Sequence, residues 1–414
     1  MSRFAARLRR LITLTRTVYA DTGSRRQAAL FAVKFFLTKF PTLTAHVWYA
    51  MPWYARQRTK TIRSAKTSGA PLVAIKVSGG VGDYIIAARF LRDMCATVEP
   101  CRLFFYANSP ARAEWLFAGL PGYQASYADS LFDLDSASYD LAVSINTIIT
   151  IRPSGITKAL REAPRLLALG AAIWRRQKPL APFIDHHPRL DNGLARIAVF
   201  TGFTRRNFLH HCAGIPYGGD ALDIEVAPHP IDAVRNKPYI TVHNGFDHNF
   251  VVNGKTATKC YPHFDAVVAG IKRAFPDLLV VQIGINTSER LPSADIDSLN
   301  KTTLKEAADI IRGAVLHIDN EGGFVHIANA LGVTSCVVFG PTPSVYFGYQ
   351  SNINIDPPVC GDCWWMTETW MSQCLKGHAA PPCMYDQLPN AVITRICDHI
   401  TRTIEQYADV KSAG

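Results

Sequence analysis

Leu72-Val-Ala-Ile-Lys-Val-Ser-Gly-Gly-Val-Gly-Asp83 is the stretch from which the fold is read. Leu72 to Val77 is a short apolar run of strand length. Ser78, Gly79, Gly80 and Gly82 then form a turn rich in glycine. From Asp83 to Met94, the residues Ile85, Ile86, Ala88, Phe90 and Leu91 supply the apolar positions of a helix. A buried strand that feeds a glycine turn and then a helix opens a parallel α/β sheet.

The same grammar repeats outward. Leu103–Ala107 and Leu141–Ile145 read as further strands, with helical sequence at Ala111–Leu116 between them. A basic, proline-containing stretch from Ile151 to Pro188 reads as partly helical and is expected to insert toward an acceptor site. A second unit opens with the strand Tyr239–His243, which ends at Asn244-Gly245. It continues with a helix at Phe264–Ala274, a strand at Leu278–Ile283 and a capping box at Thr303-Leu-Lys-Glu306 that starts a helix running to Arg312. A strand at Val315–Ile318, a helix at Phe324–Leu331 and a strand at Cys336–Phe339 complete it. Two such units leave a cleft between them, at the carboxyl ends of their strands.

Charge is unevenly placed. Of the net +11, residues 1–66 carry 14 Lys or Arg against one acid, Asp21, so the remaining 348 residues are close to neutral. That localisation weakens a nucleic-acid-binding reading for the body of the chain, and no nucleic-acid partner is expected. Phe4, Leu8, Leu11 and Ile12 recur at helical spacing among Arg3, Arg7, Arg9 and Arg10. The extension is therefore expected either to lie on an anionic inner-membrane surface or to pack on the body or another subunit. Arg16 breaks the one candidate signal-peptide core, so a cytoplasmic location is expected.

Two glycine motifs face the expected cleft. Ser78-Gly-Gly-Val-Gly-Asp83 lacks the Gly-Lys-Ser/Thr of a Walker A loop and the spacing of a dinucleotide fingerprint. Its glycines suit an acceptor or phosphate loop. Asp83, at the start of a helix, either caps that helix or accepts a proton from a hydroxyl. In Glu321-Gly-Gly-Phe-Val-His-Ile-Ala-Asn-Ala-Leu-Gly332, Gly322 and Gly323 expose backbone N–H groups at a helix start, which suits a diphosphate. His326 lies in the first turn, as a ligand contact or a cap histidine.

The Gly-Asp turn, Lys259 after a strand and glycine, and the Gly-x-x-His-x-Ala-x-Ala-Leu-Gly run followed by Phe339-Gly-Pro-Thr342 occur in one order. Over roughly residues 72–345 this resembles the ADP-heptose glycosyltransferases of glycosyltransferase family nine. The resemblance implies an α/β GT-B fold of two Rossmann-like domains and inverting, metal-independent transfer of heptose from ADP-heptose. It implies Asp83 as catalytic base, Lys259 on the donor phosphates, and Gly322, Gly323 and His326 around the diphosphate. Asn244, Gly245 and Glu289 would line the donor site, Glu289 as the nearest candidate for the ribose contact. Glu321 stands where the family usually has Asp, and Tyr261 where it often has Trp. The expected acceptor is lipopolysaccharide or a related surface glycan, with protein as the alternative. An inactive binding protein and a nucleotide-sugar epimerase are the other readings.

Cys360-Gly-Asp-Cys363, Cys374 and Cys383 are spaced as a four-thiolate knuckle, which points to one structural Zn or Fe and no catalytic cofactor. This segment looks like the iron finger of the bacterial autotransporter heptosyltransferases, a branch that modifies protein and forms rings, so a homo-oligomer enters as an expectation. Trp364 to Trp370 between these cysteines is expected to form the knuckle's core or a contact surface. The expected domains are thus a basic helical extension (1–66), an acceptor domain (67–230), a nucleotide-sugar domain (231–350), a cysteine finger (351–388) and a C-terminal helix (389–414).

Overall fold

A computed structural model describes residues 52–412 except 153–154, 236, 247–256 and 286, together with ten residues between 12 and 32; side chains of the first and last long helices are described from Arg56 and as far as Thr403. Phe4, Leu8, Leu11 and the arginines around them lie outside the described residues, while Ile12 is helical and exposed.

Helix α1 (Pro52–Lys66) lies on the first sheet: Ile62 and Ala65 are buried among Leu72, Ala74, Phe104 and Tyr106, and Arg58 pairs with Asp135 at 2.7 Å. This last part of the basic extension therefore packs on the body. The first unit then runs β1 (Leu72–Val77), α2 (Val81–Thr97), β2 (Arg102–Ala107), α3 (Pro110–Phe117), β3 (Tyr123–Ala128), β4 (Leu141–Ile145) and β5 (Ile149–Ile151). Its strand order is β3-β2-β1-β4-β5, parallel except for the short hairpin strand β5. β1 is buried along its whole length, as a strand covered on both faces must be. The stretch after β5 is helical in pieces. Its longest, α4 (Pro164–Gln177), buries Leu166, Leu169 and Ile173, and α5 (Asp191–Phe200) follows.

The second unit runs β6 (Tyr239–His243), α6 (Phe264–Ala274), β7 (Leu279–Gly284), β8 (Ile296–Leu299), α7 (Leu304–Arg312), β9 (Leu316–Asn320), α8 (Gly323–Ala330), β10 (Ser335–Val338) and β11 (Ile353–Ile355). Thr303 caps α7 and Glu306 closes the box, as the sequence predicts. The order β11-β10-β9-β6-β7-β8 is parallel throughout and is that of a doubly wound nucleotide-binding sheet. The C-terminal helix α9 (Pro389–Ser412) packs on this second unit, with Ile393 against α6 at Gly270. Among the described residues, no helix is long and apolar enough to cross a membrane.

In both sheets the strand order reverses between the first and fourth strands of the unit, β1 and β4 in one, β6 and β9 in the other. Ligands of open α/β sheets bind at that reversal, outside the carboxyl ends of the strands. The turns at these ends are Ser78–Gly80 beside Asn146, and Asn244-Gly245 beside Glu321-Gly322. Helices α2 and α8, which leave two of these turns, pack against each other across the domain boundary: a Cβ on Gly323 would lie 3.1 Å from the Val81 Cβ.

Candidate active site

Asp83 sits in the first turn of α2, because that helix begins at Val81, two residues earlier than its apolar pattern predicts. Its Oδ2 accepts from the Gly80 backbone N–H at 2.8 Å, so Asp83 does cap the helix. It is not only a cap. Its Oδ1 accepts from the Arg205 guanidinium at 2.7 Å, and the carboxylate remains one-third exposed. Gly79 has φ +132°, and a Cβ there would come within 2.2 Å of Asp83 Oδ2, so only glycine lets the carboxylate fold back over the turn. Ser78 Oγ accepts from Asn146, whose side chain also contacts His187; His187 in turn meets the buried Asp191 at 2.9 Å.

On the second domain, β9 extends two residues beyond its predicted end, to Asn320, and so brings Glu321 to the carboxyl end of the sheet. Lys259 donates to the Glu321 carbonyl at 2.7 Å and lies 3.6 Å from its carboxylate. Burial pushes the Glu321 carboxyl above the usual range, Lys259 opposes that shift, and the negative charges of Asp319 and Asp83 reinforce it. Gly322 and Gly323 start α8 with no side-chain cap, which leaves their N–H groups open to an anion. His326 is buried, and burial, aided by the nearby Arg89 charge, pushes it down to about 3, so it is neutral at physiological pH. Its Nδ1 lies 2.6 Å from the Tyr349 hydroxyl, which accepts from the fully buried Arg89 at 2.6 Å. With Tyr349 donating its one proton to Nδ1, the ring hydrogen lies on Nε2. That edge faces the Ser78–Gly82 turn: a Cβ on Gly82 would lie 2.4 Å from His326 Cδ2.

The strand reversal of the second sheet is bridged by a pair the sequence reading passes over. His243 Nδ1 contacts Asp319 Oδ1 at 2.8 Å, and His317 Nε2 reaches Asp319 Oδ2 at 3.4 Å. Burial works against the Asp319 charge, but the two histidines outweigh it and hold its pKa below the ordinary carboxylate value. Of the other expected donor-site residues, Gly245 is buried beside His243 and Ser288. Asn244 donates to the Glu289 carbonyl at 2.7 Å, so these two meet through the Glu289 backbone while its side chain is exposed. Tyr261 is buried, with its N–H on Asn320 and its hydroxyl on the Gln387 carbonyl.

The structure thus brings Asp83, Lys259, Glu321, Gly322, Gly323 and His326 to one place. Arg205, Arg89, Tyr349 and Asp319 join them without a motif. Arg205 stands 122 residues from the carboxylate it binds, in a Thr-Arg-Arg run with no local pattern, so only the folded chain reveals the pairing.

The cysteines behave differently. Among the described residues, no group of three or more His, Cys, Asp or Glu side chains is arranged to hold a metal ion. The four thiols are nevertheless neighbours: Cys383 is pushed up to about 12 by burial first and then by Cys360, Cys363 and Cys374, and it is hydrogen-bonded to Cys360. The tryptophans between them gather in one small cluster, with Trp365 on Trp370 at 6.0 Å, that also takes in residues outside the cysteine segment. Trp370 packs with Phe246, Ala257 and Cys260, and Trp364 packs on Phe347 at 4.8 Å. Glu368 pairs with Arg189 and the Asp362 carbonyl accepts from Asn192, which ties the segment to the first domain.

Comparison with known proteins agrees with this architecture. The sequence model of glycosyltransferase family 9 (heptosyltransferase) matches residues 285–358, which include α7, β9, α8 and β10. No curated protein matches the chain. Among solved structures, the dodecameric iron-containing heptosyltransferase TibC in complex with ADP-D-beta-D-heptose superposes with a TM-score of 0.52 at 14% identity, over 81% of this chain and 79% of that one. TibC from enterotoxigenic E. coli H10407 gives 0.52 at 13% identity over 80% and 77%. The glycosyl transferase family 9 structure from Veillonella parvula DSM 2008 gives 0.52 at 14% identity over 80% and 98%. The fold is therefore GT-B, two Rossmann-like domains facing each other.

Proposed function

We propose that the chain is an inverting glycosyltransferase that moves heptose from ADP-heptose to a hydroxyl group of a lipopolysaccharide or related surface-glycan acceptor. The observation that carries this reading is the contact between the two helix starts, α2 with Asp83 and α8 with Gly322 and Gly323, each at the strand reversal of its own sheet. The family match and the donor bound in the TibC structure support the choice of donor.

Asp83 takes the proton of the acceptor hydroxyl. The hydroxyl oxygen forms a new bond to the anomeric carbon as the bond from that carbon to the phosphate oxygen breaks, and the electron pair leaves on ADP. Lys259 and the open N–H groups of α8 stabilise the charge that builds on the diphosphate. Holding both reactants between two rigid turns supplies much of the rate. Every step is assigned to side chains or backbone of this chain, so catalysis is read as metal-independent.

The cysteine segment supports a second reading of the acceptor as protein. Cys360, Cys363, Cys374 and Cys383 have the donor chemistry for one structural Fe or Zn, whose role would be to staple the segment. A cytoplasmic chain with its basic extension at the inner membrane, or assembled as a homo-oligomer, is consistent with either acceptor.

The test is transfer from ADP-heptose to heptose-free lipopolysaccharide and, in parallel, to a purified autotransporter passenger domain. The reading expects ADP release that depends on one of these acceptors and is abolished in Asp83→Asn. Wild-type turnover by Asp83→Asn, or donor conversion with no acceptor present, would refute it; the latter result is the one an epimerase gives.

A further inference from the structure

We infer that Arg205 is a positioning residue for the Asp83 carboxylate, and that it couples this carboxylate to the segment that returns from β10 onto the first domain; the inference rests on Asp83 being the base.

Three observations lead here. First, Arg205 is 96% buried, and its Nη2 donates to Asp83 Oδ1 at 2.7 Å and to the Asn146 carbonyl at 3.2 Å. With Gly80 N–H on Oδ2, the carboxylate is gripped from two directions and has one orientation. A capping role needs only the Gly80 bond. Second, the other terminal nitrogen, Nη1, is buried with no hydrogen-bond partner among the described residues. Leaving a buried guanidinium group partly unsatisfied costs stability, so its place is not explained by stability alone. Third, the Arg205 backbone N–H donates to the Tyr346 carbonyl at 2.9 Å. Tyr346 follows β10 in the chain, and its ring is buried in the core of the first domain with Leu166, Leu194 and Phe208. One residue therefore holds the segment that returns from β10 through its backbone and sets the base through its side chain.

The network continues on the first domain only. Asn146, whose carbonyl Arg205 holds, also donates its side-chain amide to Ser78 Oγ. Movement of the segment around Tyr346 would pull on Arg205 and loosen both Asp83 and the Ser78 loop, while its packed position locks them. Misplacing a reacting group by about 1 Å lowers turnover by roughly 100-fold.

The experiment compares Arg205→Ala, Arg205→Lys, Asp83→Asn and the double variant Asp83→Asn/Arg205→Ala. Turnover is followed by ADP release from ADP-heptose with the acceptor that the wild type uses, and donor affinity by calorimetry with ADP. A crystal structure of Arg205→Ala is determined alongside. Positioning predicts that Arg205→Ala loses about 100-fold in kcat with ADP affinity unchanged, that millimolar guanidinium restores part of it, that Arg205→Lys retains more than Arg205→Ala, and that the double variant is no worse than Asp83→Asn alone. In the crystal structure the Asp83 carboxylate leaves its place over Gly79. An Arg205→Ala enzyme with wild-type kcat, or one whose loss ignores guanidinium while Asp83 stays in place, overturns the inference. Wild-type turnover by Asp83→Asn instead overturns the underlying assignment of the base, a separate result.

Discussion

Gly82 and His326, 244 residues apart in sequence, touch across the boundary between the two domains: a single added Cβ on Gly82 would lie 2.4 Å from the His326 ring. Neither partner can give way easily. Gly82 is in the first turn of α2, and His326 is pinned through Tyr349 to Arg89. Gly82→Ala should therefore force the helix starts apart, destabilise the protein by about 1–3 kcal/mol and lower transfer. Urea unfolding and the ADP-release assay check this together; a variant with unchanged midpoint and rate would mean that the contact is not tight.

His326 gives the protein a specific pH response. In the unfolded chain it protonates near 6.5, whereas in the fold it resists protonation to about 3. Between those values the unfolded state binds the extra proton, so this residue's share of stability is intact above pH 6.5 and is lost as pH falls toward 3. From pH 6.5 to 5 the loss amounts to roughly 2 kcal/mol. His326→Gln cannot titrate. The gap in unfolding free energy between wild type and variant should shrink by about that amount over this range, and a constant gap would show that the histidine is not buried as neutral.

Lys259 rests on Glu321, with its ammonium group on the Glu321 carbonyl and near the carboxylate. A diphosphate offers it a better partner. Lys259→Ala should weaken ADP binding about 10–100-fold, the worth of one charged hydrogen bond. Glu321→Gln removes a competing charge and should leave ADP binding equal or tighter. Calorimetry of both variants decides; unaltered affinity in Lys259→Ala removes the lysine from the donor site.

The cysteine segment yields a prediction independent of activity. If Cys360, Cys363, Cys374 and Cys383 hold a structural ion, the purified chain contains about one Fe or Zn, and Cys363→Ser abolishes it with a fall in melting temperature. Elemental analysis that finds no metal in protein prepared without chelators would leave four reduced thiols.

Much of this architecture is legible in the sequence. The bounds of β1, β4, β6 and α6 follow directly from the sequence: the three strands are mostly apolar runs ended by turns, with Lys76, Ser144, Thr241 and His243 as their polar members, and α6 carries an apolar face at helical spacing. The strands at sheet edges are not legible: β5, β8 and β11 are three or four residues long and only partly buried. In the site, residues tied to glycine turns are visible, since Asp83, Gly322 and Gly323 sit where an apolar strand ends in paired glycines and a helix begins. Arg205 and Arg89 are not, because a buried arginine that serves a partner over a hundred residues away leaves no local period. The two-residue extension of β9 is hidden for a related reason. Asp319 and Asn320 look like loop residues until His243 and Tyr261 supply their partners.

The central claim is that the donor diphosphate rests on the start of α8, opposite Asp83. The most direct measurement is a crystal structure of the protein with bound ADP. The account predicts phosphate oxygens within hydrogen-bonding distance of the Gly322 and Gly323 N–H groups and of Lys259 Nζ. A diphosphate bound instead on the Ser78–Gly82 turn, or away from the domain boundary, would contradict it.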